Sequence, residues 1–219
     1  FPYQDSIGPL VLTNSQLLSG LKGINFTISH HPNNLSSIEN FKELKALHLR
    51  IHLTTSEGLN DFLTHFILPK SLESVSLWFN VIKRDSILEL EKSFYNTPGV
   101  RHFLEAWKNL DNLCKFQLTN DMKFAFHFLH RLTQEILKLL NDVDIIDLNF
   151  GDSEQKPQSC PRIFDLGAII QTLTIRHQGI QSLKICAPKL TNSLFDDKDY
   201  PRLPSVHNLE IITRHLETR

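Results

Sequence analysis

Seven segments of the chain repeat one arrangement of apolar and polar positions. They begin at Leu21, Leu44, Leu72, Leu113, Val143, Ile180 and Val206, and each reads apolar-x-x-apolar-x-apolar. The second, Leu44-Lys-Ala-Leu47-His-Leu49-Arg-Ile51-His-Leu53, goes on alternating to its end. Alternation marks a strand buried on one face, because successive side chains point to opposite sides. Between these segments the spacing turns helical. Leu59, Phe62, Leu63 and Phe66 form one such set, with Ser56 and Glu57 expected to cap it and Pro69 to end it. Ile87, Leu88 and Leu90 run toward Phe94, and after Pro98-Gly99 comes a set with Val100, Phe103, Leu104 and Trp107. Residues 122–140 place Phe124, Phe128, Leu132, Ile136, Leu137 and Leu140 on a single stripe. Strands alternating with helices predict an α/β fold.

Ile170-x-x-Leu173-x-Ile175 also fits the strand template, but Ile180 follows it too closely for both to be strands. The first is assigned to a helix and the second to the strand. Ser37 to Phe41 reads as a short connector, Gly151 to Pro161 as a surface loop, and Pro188 to Pro204 as an irregular connector carrying Asp196, Asp197 and Asp199. The interval between Leu72 and Leu113 is long and is expected to hold an extra helix or an insertion.

The polar slot between the second and third apolar positions holds Asn25, His48, Ser76, Gln117, Asp147, Lys184 and Glu210. All are polar, so one side of every strand is expected to face solvent. These motifs resemble the leucine-rich repeat, over most of the chain and in the irregular intracellular form. The Asn or Cys that usually follows the repeat strand is not consistently present. The resemblance implies one domain over 1–219, a solenoid with a parallel sheet on its concave face and helices on its convex face. It also implies protein–protein recognition, as a scaffold or as a structural subunit of a larger assembly. The partner-binding residues on the concave face would be His48, Arg50, Ser76, Trp78, Lys115, Gln117, Asp147 and Asn149. A second reading in the same class is the substrate-recognition part of a ubiquitin ligase, with an F-box placed before Phe1. The chain begins at Phe1 and ends at Arg219 without a polar cap, so it is expected to belong to a longer one.

Composition narrows the partners. The 219 residues carry a formal net charge of −1, which gives no basic footprint for nucleic acid. No apolar run is long enough to span a bilayer. Cys114, Cys160 and Cys186 are few and far apart, which fits a reducing compartment and an intracellular protein, cytoplasmic or nuclear. Asn25-Phe-Thr27 and Asn34-Leu-Ser36 match the glycosylation sequon, a match that chance supplies often.

Candidate chemistry is sparse. His127-x-x-His130 sets two imidazoles on one helix face, where a zinc site needs further ligands, and the bland expectation is two partly exposed histidines. Phe150-Gly151-Asp152-Ser153 looks like the nucleophile block of the GDSL-type esterases, which would make Ser153 the nucleophile. The Asp-x-x-His block that supplies the base has no counterpart near the C-terminus, and a serine without a base attacks poorly. There is no phosphate-cradling glycine loop. The sequence is therefore read as a binding protein and not an enzyme, with no cofactor or metal.

Overall fold

The structure is a computed structural model and describes residues 20–28, 35–52, 55–80, 92–120, 126–151, 164–191 and 205–217. Within them the strands are β1 (Gly23–Ile28), β2 (Ala46–His52), β3 (Ser74–Asn80), β4 (Lys115–Asn120), β5 (Ile145–Asn149), β6 (Phe164–Asp165), β7 (Gly179–Thr191) and β8 (Ser205–Glu217). The helices are α1 (Ser56–His65), α2 (Pro98–Glu105), α3 (Phe126–Leu139) and α4 (Leu166–Arg176). The fold is α/β. Every strand pairing is parallel, and the sheet runs β1-β2-β3-β4-β5-β7, with β8 on the outer edge of β7 and the short β6 also against β7.

All seven sequence segments become strands, and their motif frame is the frame of the sheet. Leu47, Val75, Phe116, Ile146 and Leu183 lie side by side, and the next core row is Leu49, Leu77, Leu118, Leu148 and Ile185. A one-residue slip would turn such a row out of the core, so burial enforces this register. A backbone contact repeats at the same motif position. The carbonyl of Lys22 accepts the amides of Lys45 and Ala46 at 2.8 and 3.0 Å. The carbonyls of Lys45, Glu73 and Asp144 each do the same to two consecutive amides of the following strand.

The core lies between one face of the sheet and the helices. Leu59, Phe62, Leu63 and Phe66 of the first helical set are fully buried, as are Leu129, Leu132, Ile136 and Leu137 of α3, all in one apolar cluster with the strand rows. The long interval before β4 contributes α2 and an aromatic group. Phe103 sits 4.5 Å from Phe66 and Trp107 5.3 Å from Phe116, centroid to centroid.

Several local expectations are corrected. The cap of α1 is Thr55, whose hydroxyl accepts the Gly58 amide at 3.0 Å, and the helix stops at His65, ahead of Pro69. Pro98 itself opens α2, since its fixed φ and missing N–H suit a first helical position. Residues 35–40 are a 3-10 helix, not a plain connector, and it plants Leu35 and Ile38 in the core. The strand at Ile180 continues through Pro188 to Thr191. The Cys186 carbonyl faces β5, accepting the Phe150 amide at 2.7 Å. Two residues on, Pro188 faces the same way, between the end of β5 at Asn149 and the start of β6 at Phe164. Among the described residues its missing N–H removes no ladder bond there. Ile170 to Ile175 is helical, as assigned.

Candidate functional site

The strand faces turned away from the helices form a lattice of side chains in register. One row is Asn25, His48, Ser76, Gln117, Asp147, Lys184 and Glu210, each the direct neighbour of the next. This is the polar column of the sequence, laid across the sheet. The next row is Thr27, Arg50, Trp78, Thr119, Asn149, Cys186 and Ile212. The preceding row includes Ala46, Ser74 and Lys115. The eight residues expected to bind a partner thus fall on one face, in three adjacent rows.

Neighbours in a parallel sheet are about 4.8 Å apart, so these side chains interact laterally. The Arg50 guanidinium lies over the Trp78 ring at 4.6 Å from its centroid. Trp78 is half-buried on this face, not covered by a helix among the described residues. Gln117 donates its side-chain amide to Asp147 Oδ2 at 3.1 Å. Lys184 pairs with Glu210 at 3.0 Å, and that hydrogen bond raises the lysine pKa. Burial and then the charge of Arg50 push the His48 pKa down.

Comparison with family models, with curated proteins and with solved structures finds no match to this chain. What the face can do is therefore argued from its own residues.

The other candidates separate. His127 is exposed, whereas His130 is only partly exposed and meets Phe164 edge-on at 4.7 Å, so the two differ in environment. Burial is the main cause that holds the His130 pKa below its ordinary value. Among the described residues no group of three or more His, Cys, Asp or Glu is placed to hold a metal ion. Ser153, His30, His31 and Cys160 lie outside the described residues, as does most of the predicted helix over 85–94. Among the described residues no helix is long and apolar enough to cross a membrane.

Sequence reasoning missed two features of the face. His52 extends the Arg50 strand by one more outward position, paired in register with Asn80. A shallow cleft at the N-terminal ends of the strands is lined by Glu73, Asp111, Asn112, Cys114 and Asp142, with Glu73 paired to Lys45 at 2.8 Å. The first was legible from alternation continued to the end of the strand. The second is assembled from three separate turns and has no local signature.

Proposed function

We propose that this chain is a leucine-rich-repeat-like solenoid whose helix-free face recognises another protein, as a scaffold or as a structural subunit of an assembly. It is a binding protein and not an enzyme. The observation that carries the reading is the shared frame of motif and sheet. The same motif position of every segment lands in one row, from Asn25 to Glu210. Stacked repeats produce such rows, because each unit adds one strand beside the last. A broad face presenting Arg, Trp, Asn and Gln is suited to protein contact, where Arg and Trp act as anchors.

A photo-crosslinking residue tests this in the cell of origin. Placed at Ser76 or Asn149 on the open face, it is expected to yield discrete crosslinked protein species. Placed at Glu57 of α1 or Lys138 of α3, both exposed on the helix side, it is expected to yield none. Crosslinks confined to the helix side, or absent at all four positions, overturn the proposal.

A further inference from the structure

The open face is divided electrically. Strands β1 to β4 contain no Asp or Glu at any position. Their outward positions carry two formal charges, Arg50 on β2 and Lys115 on β4, beside His52 and His48, the latter held toward its neutral form. Among the described residues no carboxylate lies within ion-pair distance of Arg50, whose guanidinium carbon instead lies over the Trp78 ring, 4.6 Å from its centroid. The first carboxylate along the face is Asp147 on β5, which already accepts the Gln117 amide. Beyond it the positive charge of Lys184 is met by Glu210. Lys184 on the β5–β8 half is thus ion-paired, whereas Arg50 and Lys115 on the β2–β4 half have no ion pair among the described residues. The cleft lined by Glu73, Asp111 and Asp142, with Glu73 paired to Lys45 at 2.8 Å, lies at the opposite end of the strands from Arg50 and His52.

We propose that the β2–β4 part of the open face, centred on Arg50 stacked over Trp78 and flanked by His48, His52 and Lys115, docks an extended protein segment rich in Asp and Glu. This rests on the protein-recognition reading above and names the chemistry of the partner. Like charges left unneutralised on a face are matched by the opposite sign on whatever covers it. Arg50 offers a planar fork that fits a carboxylate while its other side stays on the indole. Arg50 is level with Thr119, so the strand spacing and rise put Arg50 and Lys115 about 16 Å apart, a span of about five extended residues. Trp78 is the direct neighbour of Arg50, so an acidic side chain at each end and an apolar one next to the acid at Arg50 would satisfy all three. The net charge of −1 over the whole chain favours a short acidic peptide over nucleic acid, which needs a basic field extending well beyond one patch.

The test uses fluorescent peptides on the full chain. One has Glu and Asp flanking a central Leu; a second has Lys in place of the acids; a single-stranded oligonucleotide serves as a general polyanion. The acidic peptide is expected to bind, more weakly as salt rises, and to lose more than about tenfold in affinity with Arg50→Glu and again with Lys115→Glu. Glu210→Gln is expected to leave binding unchanged, and a thermal melt confirms that each variant is folded. Equal affinity of wild type and both charge reversals, or tighter binding of the oligonucleotide than of the peptide, overturns the proposal. The crosslinking experiment separates the two levels of inference. Partner crosslinks at Asn149 that persist in Arg50→Glu, with none at Ser76, overturn this assignment and leave protein recognition standing. Crosslinks at neither position overturn the recognition reading itself.

Discussion

His177 accepts the backbone amide of Val143 through its ring Nδ1 at 3.2 Å, and both residues are buried. Val143 opens the motif that becomes β5, so this imidazole ties the end of α4 to the start of a strand 34 residues earlier. A protonated ring cannot accept that hydrogen bond. Burial, the largest influence, holds the His177 pKa below its ordinary value; Asp142 and a backbone hydrogen bond involving Leu137 oppose this, and Arg176 adds to it. The unfolded chain therefore takes up the proton first. Stability is fully present above about pH 6.5 and falls as the pH drops below it. His130, partly buried, has its pKa lowered mainly by desolvation and contributes with the same sign. Urea unfolding at pH 8 and pH 5 is expected to show lower stability at pH 5. His177→Asn, whose Oδ1 can take the place of Nδ1, is expected to flatten part of that dependence. An identical pH slope in the variant would exclude the role of His177.

Gly99 marks the closest approach of α1 and α2. A Cβ there would meet Asn60 Oδ1 at 2.8 Å, Thr64 Oγ1 at 2.9 Å and the Asn60 carbonyl at 3.1 Å. Thr64 is already committed, donating to that carbonyl at 2.7 Å. Gly99→Ala gains some helix propensity but forces the two helices apart. The expected net loss is about 1–2 kcal/mol by chemical denaturation. Gly20→Ala, with nothing within 4 Å, is the control and is expected to be near neutral.

The two faces of one strand should answer substitution differently. Leu77 is fully buried in its row, and Ser76 beside it is half-buried on the open face. Leu77→Ala is expected to cost about 2–5 kcal/mol, and Ser76→Ala no more than about 0.5 kcal/mol. Comparable losses at both positions would mean that the open face is packed against something.

Arg50 and Trp78 should couple weakly in stability. A double-mutant cycle with Arg50→Ala and Trp78→Ala is expected to give about 0.5–1 kcal/mol, the range of a partly solvated cation–π pair. A coupling of several kcal/mol would assign the pair to holding β2 on β3. It would then no longer be available as a binding surface.

The strands and their register were legible in the sequence because two constraints act at once. Alternation sets the buried face of each strand, and the equal motif offset of Leu47, Val75, Phe116, Ile146 and Leu183 sets their alignment. The assignment of Ile170 to Ile175 shows where the pattern is ambiguous, since apolar residues three apart suit a helix as well as the strand motif. It was resolved by the shortness of the gap to Ile180. The 3-10 helix at 35–40 escaped because its buried residues, Leu35 and Ile38, are too few to establish a period. On the site, the outward direction of Arg50 and Trp78 was legible. Their stacking was not, because it needs the two strands to be neighbours in register. The partial burial of His130 depends on Phe164, which lies 34 residues away in the chain and belongs to a strand of two residues.

The strand order also bears on how the chain comes together in time. From β1 to β5, each strand closes a loop only to its immediate predecessor, over roughly 20 to 40 residues, and the entropy of such closures grows slowly with length. No strand in that run waits for a partner from the far end of the chain. Ordering can start at any adjacent pair and spread outward as a zipper does, and a lesion in one strand is felt first by the two beside it.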